Sequence, residues 1–130
     1  MRVLIEMTVQ EMLNCVSVLR TINDKKMPAR TAYQFARIIR ELDNELKNFE
    51  ETRYTLIERF GKKDENGELI QDEKGNIEIF PEKKKDFDKE SKDLLESKIH
   101  INCEQIDLKD ILDNEFTPNE IGELFLFIKE

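Results

Sequence analysis

The sequence predicts an α+β, mainly helical fold. Its parts are a long central helix packed by two shorter helices, a β-hairpin at the tip of the long helix, a small antiparallel strand pair and a C-terminal helix. Three observations predict it. Between Pro28 and Phe60 no glycine or further proline interrupts the chain, and apolar residues recur there at helical spacing. Two turn sequences rich in Asp and Gly follow directly. Two short segments of strand character flank the helices, one ahead of the first helix and one after the helix that follows the turns. A length of 130 residues suits a single domain over 1–130, in which 28–98 form a helical arm carrying its hairpin at 64–80.

Residues 2–7 (Arg-Val-Leu-Ile-Glu-Met) hold β-branched side chains and no breaker, and read as a strand. Thr8 with Glu11 three residues on is a capping box, in which hydroxyl and carboxylate satisfy free backbone N–H groups. The helix it opens runs to Ile22, striped by Val9, Met12, Leu13, Val16 and Leu19, and Asn23 and Asp24 end it. Pro28 suits the first turn of the next helix, where its missing N–H is not needed. At ~1.5 Å per residue, that helix to Phe60 is roughly 50 Å long.

Ala32, Phe35, Ile39, Leu42, Leu46, Phe49, Leu56 and Phe60 step along the long helix by threes and fours, with Arg53 in the remaining slot. This is a heptad seam, which asks for partner helices along its length. Arg53 either sets register there or snorkels outward. Gly61 reads as a C-terminal cap. Asp64–Gly67 and Asp72–Asn76 are turns, with Leu69-Ile70 and Ile77–Phe80 as the adjoining strand segments. No internal repeat is read. Neither turn has the ligand series of a calcium loop.

Pro81 opens a helix to Ser97 with Phe87, Leu94 and Leu95 as apolar contacts. Ile99, Ile101 and Cys103 then alternate with His100, Asn102 and Glu104 as a half-buried strand. Asp107 reads as the cap of a short turn holding Leu108, Ile111 and Leu112. Thr117-Pro118-Asn119-Glu120 combines N-cap, N1 proline and N3 glutamate, the clearest helix start in the chain. The last helix carries Ile121, Leu124, Phe125, Phe127 and Ile128, and either closes the core or turns part of its surface to a partner. The first helix is expected to cover one half of the long seam and the return helix the other. The return helix is poor in apolar residues, so Phe49, Leu56 and Phe60 are expected to be the under-covered positions.

Charged residues make up 38% of the chain and apolar residues another 38%, with a net charge of −8. An acidic surface repels phosphate backbones and anionic membranes, so nucleic acid is not an expected partner. Lys62–Lys63 and Lys83–Lys85 are local exceptions within acidic surroundings. Nothing reads as a signal peptide or membrane span, which places the protein in the cytoplasm, the host's if phage-encoded, with Cys15 and Cys103 as reduced packing residues. His100 and Cys103 stand three apart on a strand and so face opposite ways. One histidine and two distant cysteines make no zinc site, the glycines form no phosphate loop, and the carboxylates lie mostly on solvated helix faces. No catalytic residue, metal or cofactor is therefore expected and the chain reads as a non-enzyme, an enzyme with a carboxylate-based site being the alternative.

Several segments together carry a resemblance. They are the strand running into Thr8-Val-Gln-Glu-Met-Leu-Asn14, Lys26-Met-Pro-Ala-Arg-Thr-Ala-Tyr-Gln-Phe35 with its long helix, and Leu56-Ile-Glu-Arg-Phe-Gly-Lys-Lys-Asp-Glu-Asn-Gly67 with the second Asp/Gly turn. Ile106-Asp-Leu-Lys-Asp110 and the Thr117-Pro118 helix complete the set. In this order they span nearly the whole chain, which resembles small phage and prophage proteins grouped as a domain of unknown function. The resemblance implies a phage or prophage setting and a helix-rich fold, and carries over no catalytic residue. Two roles are open. One is an assembly or structural adaptor bound to a phage structural protein; the other is an inhibitor of a host factor such as a defence enzyme. The seam further predicts a homo-oligomer. Leu46, Phe49, Arg53, Leu56, Phe60, Phe125 and Phe127 are the candidate interaction residues.

Overall fold

A computed structural model of the chain describes residues 2–112 and 115–130. The fold is α+β and mainly helical, as the sequence predicts. The chain divides into two compact units, one of Met1–Leu46 with Lys98–Glu130, the other of Lys47–Ser97.

In the first unit, strand β1 (Arg2–Thr8) leads without a loop into helix α1 (Val9–Ile22). The junction is the expected capping box: the Glu11 N–H donates to Thr8 Oγ1 at 3.1 Å and the Thr8 N–H donates to Glu11 Oε1 at 3.1 Å. β1 pairs antiparallel with β2 (Lys98–Glu104), placing Ile5 opposite Ile101, Val3 opposite Cys103 and Met7 opposite Ile99. The strand period of two sends these six side chains inward, while Leu4, Glu6, His100 and Asn102 face solvent.

Helix α2 (Ala29–Phe60) supplies the core of this unit through Thr31, Phe35, Ile38 and Leu42. The seam therefore departs from expectation at two steps: Thr31 replaces Ala32, which is exposed, and Ile38 replaces Ile39, which is half-buried. The cause is a second neighbour. Ile39 lines an open cavity with Val16 and Leu19 of α1, whereas Ile38 is 1% exposed and stands with Cys103 at the ribbon end, so α2 turns apolar side chains to more than one heptad stripe.

The C-terminal segment also departs from expectation. Helix α4 (Pro118–Glu123) is only six residues long. A 3₁₀ turn over Phe125–Phe127 and strand β4 (Ile128–Lys129) follow, β4 pairing parallel with β3 (Ile106–Asp107). The Phe127 N–H donates to the Leu124 carbonyl at 2.8 Å, and this tighter three-residue turn drives Phe127 into the core. Phe127 is thus a packing residue, not an interaction candidate. Asp107 precedes the turn Leu108–Asp110 but its side chain makes no capping bond there.

The start of α4 matches its motif. The Glu120 N–H donates to Thr117 Oγ1 at 3.1 Å, and the Thr117 N–H donates to Glu120 Oε1 at 2.8 Å. The Glu120 carboxylate also accepts from the Thr21 hydroxyl at 3.4 Å and lies 3.5 Å from Lys25 Nζ. The Thr117 backbone N–H, followed by Lys25, holds the Glu120 carboxyl below its ordinary value of 4.5, against an opposing push from burial. A depressed carboxyl stabilises the fold above its unfolded pKa, and that stability is lost as pH falls through the lower folded pKa. We expect Glu120→Gln, which keeps the cap geometry, to flatten this part of the acid-side decline. Urea midpoints measured between about pH 6 and pH 3 would check it; parallel curves for the two proteins would refute the assignment.

In the second unit, the end of α2 faces helix α3 (Lys84–Glu96), which follows a 3₁₀ turn opened by Pro81. Between them, the expected hairpin is one of a pair. Lys63 bridges Leu69, Gln71 bridges Ile77, and Gly61 bridges Ile79, so each of three short segments pairs with both others. The Lys62 N–H donates to the Glu78 carbonyl at 2.8 Å, the Glu78 N–H to the Ile70 carbonyl at 2.9 Å, and the Ile70 N–H to the Lys62 carbonyl at 3.0 Å. Positions 62, 70 and 78 thus close a ring of hydrogen bonds at an eight-residue period.

The sequence contains that period, contrary to the expectation of no repeat. Gly61-Lys-Lys-Asp-Glu-Asn-Gly-Glu68 is followed by Leu69-Ile-Gln-Asp-Glu-Lys-Gly-Asn76 and a third, shortened copy from Ile77. Asp64 and Asp72 each accept two backbone N–H groups of their own turn at 2.8 and 3.0 Å, and Gly67 and Gly75 take positive φ of 80° and 82°. Gly61 serves differently from the expected cap, since its φ is not positive. A Cβ there would stand 2.6 Å from the Ile57 carbonyl oxygen and 2.7 Å from Leu69 Cδ2, so the convergence of positions 61, 69 and 77 leaves room for two side chains and not three.

Candidate interaction surfaces

The second unit gathers most of the sequence's interaction candidates on one face. Phe60 and Phe87 meet edge to face with centroids 6.0 Å apart and an interplanar angle of 69°. Arg59, whose guanidinium lies 4.7 Å from the centre of the Phe60 ring, forms an ion pair with Glu90 from α2 to α3. Beside this contact a groove of about 130 Å³ stays open, floored by Phe49, Leu56 and Phe87 and walled by Leu94 and Leu95. Arg53 and Ser91 stand at its edge, with Arg53 exposed, so the arginine in the seam points outward. α3 covers its half of the seam as expected, and Phe49, Leu56 and Phe60 are left half-buried. The charged residues between the three apolar contacts of α3 explain the incomplete cover.

The first unit treats its candidates differently. Leu46 is half-buried. Phe125 is 62% exposed, near Leu126 in the same turn, while Phe127 is fully enclosed. Leu112 and Leu4 are further large apolar side chains exposed in this unit.

The titratable groups with nucleophilic or acid–base potential are placed for packing and surface pairing. Cys15 is buried, its Sγ–H donates to the Glu123 carbonyl at 3.0 Å, and burial with the nearby Glu123 and Glu11 carboxylates pushes its pKa up to about 11. Burial raises Cys103 as well. Both are therefore thiols at neutral pH. His100 lies on the solvent face of the ribbon with Nε2 at 3.3 Å from Glu6, which also accepts from Lys98 Nζ at 2.8 Å. The Lys98 hydrogen bond chiefly lowers the Glu6 carboxyl. His100 and Cys103 fall on opposite faces of β2, as their spacing requires. Among the described residues no group of three or more His, Cys, Asp or Glu is placed to hold a metal ion, and no helix is long and apolar enough to cross a membrane.

One polar feature escaped the sequence reading. Arg30, Tyr33, Gln34 and Arg37 lie at positions i, i+3, i+4 and i+7 of α2, and so share a face. That face meets Arg2, Cys103 and Glu104 around a cleft of about 120 Å³. The polar spacing on α2 was visible in the sequence, but the ribbon residues join it only through folding. The chain matches no model of a known protein family, no curated protein and no solved structure.

Proposed function

We propose that this chain is a phage- or prophage-associated, non-catalytic protein-interaction protein, acting in the host cytoplasm as an assembly or structural adaptor. The observation that carries the reading is the half-covered apolar face of the second unit, where Phe49, Leu56, Phe87, Leu94 and Leu95 floor and wall an open groove. Apolar side chains held at a groove rimmed by charge are the usual anchor for a partner helix or a second copy. Buried, protonated cysteines and a histidine spent on a surface pair fit a binding role. The resemblance to small phage proteins supplies the setting.

The test is affinity purification of the tagged protein during phage infection, with mass spectrometry, alongside Arg53→Glu and Leu95→Glu variants. Phage structural proteins should co-purify with the native chain and fall at least about tenfold with either variant, Leu95→Glu because charge placed in an apolar contact costs its full desolvation and Arg53→Glu because it reverses the charge at the groove's edge. Capture of one host enzyme, again lost in the variants, would replace the adaptor with a host-factor inhibitor. Specific partners indifferent to both substitutions would refute the groove. Light scattering of the purified protein tests self-association, which a strict monomer at high concentration would remove from the proposal.

A further inference from the structure

The cleft between α2 and the ribbon end is lined by three arginines, Arg2, Arg30 and Arg37; none of them forms an ion pair with a carboxylate among the described residues, and the Arg37 guanidinium lies 5.8 Å from the centre of the Tyr33 ring. In a chain of net charge −8, where carboxylates outnumber basic groups, three unpaired arginines converging on one cavity are an arrangement for an external anion. Guanidiniums bind carboxylates and phosphates through paired, charge-assisted N–H bonds.

Gln34 narrows the choice. Its Nε2 donates to Glu104 Oε1 at 3.3 Å, which fixes the orientation of the amide. That leaves Gln34 Oε1 buried with no donor. A buried carbonyl oxygen calls for an N–H or O–H, and no side chain of the cleft supplies one. A ligand that carries an anion and, close beside it, a hydrogen-bond donor would satisfy both the arginines and this oxygen. A phosphomonoester dianion offers acceptors only, and the Glu104 carboxylate in the same cleft opposes any doubly charged guest, inorganic phosphate included. The last residue of a polypeptide offers both groups, because a single carbon joins its α-carboxylate to its backbone N–H. A cleft of about 120 Å³, open to solvent, has room for a group of that size.

We infer that this cleft captures the C-terminal carboxylate of a partner chain. The guanidiniums of Arg30 and Arg37 grip the carboxylate, Arg2 closes the cleft from β1, and the partner's last backbone N–H donates to Gln34 Oε1. Terminal-carboxylate capture is an established mode of peptide recognition. The inference rests on the interaction reading above and adds a second contact, in the first unit, with a chemistry of its own.

The test uses the full chain and a defined probe, acetyl-Ala-Ala, titrated while ¹H–¹⁵N spectra are recorded. The free-acid form should shift the Gln34 side-chain amide and the Arg30 and Arg37 Nε–H signals saturably. Its C-terminal amide should bind at least about tenfold more weakly, as should the acid form on Arg30→Gln or Arg37→Gln protein, each loss being one charge-assisted contact. Both arginines reach solvent, so the variants should melt like the parent. Gln34→Leu should weaken the peptide acid and leave binding of acetate, which has no N–H, unchanged. Acid and amide binding alike, inorganic phosphate or free alanine binding as tightly as the peptide acid, or no saturable shift, would each overturn the inference. None of those outcomes touches the Arg53 and Leu95 results, so the two readings fail separately.

Discussion

Phe127→Ala should destabilise the protein by about 3–5 kcal/mol, the range for emptying a fully enclosed aromatic site. Phe125→Ala, two residues earlier, should change stability by less than about 0.5 kcal/mol, the usual range for a surface position. The two rings differ in burial, at 0% against 62% exposed, because the 3₁₀ turn and the parallel β3–β4 pairing put them on opposite sides of the backbone. Urea unfolding of the two variants measures the difference directly. Equal and small losses would mean that the segment after Glu123 does not dock into the core as described. The pair also separates stability from binding, since Phe125→Ala leaves a folded protein with one fewer exposed aromatic to offer a partner.

Ile38→Ala should cost about 2–5 kcal/mol, and Ala32→Ser close to nothing. A strict heptad seam predicts the opposite emphasis, with position 32 inside and position 38 flanking. Ile38 is 1% exposed and stands at the ribbon-end cleft with Cys103, whereas Ala32 is exposed. Thermal unfolding of both variants distinguishes the two faces. A loss at Ala32 matching that at Ile38 would restore the single-stripe reading of α2.

Local chemistry was legible without any fold. The capping boxes at Thr8 and Thr117, the strand character of the two segments that pair and the long uninterrupted helix each depend on neighbours within a few residues, and all of them are present in the structure. The incomplete burial of Phe49, Leu56 and Phe60 was legible for a similar reason. α3 simply has too few apolar residues to cover them, which is a matter of composition. The eight-residue repeat was present in the sequence but hidden, because Asp/Gly turns recur widely and only the closed hydrogen-bond ring at 62, 70 and 78 gives their spacing meaning.

By itself, then, the sequence determined where the chain turns, caps and pairs over short range, because those choices are set by backbone sterics and by hydrogen bonds three or four residues away. The tertiary structure alone decided which of two adjacent isoleucines on α2 is enclosed, which of two nearby phenylalanines is core, and that Arg2 and Glu104 join Arg30, Gln34 and Arg37 around one cleft. A helix carries several faces at once, and which of them lose water depends on elements distant in the sequence.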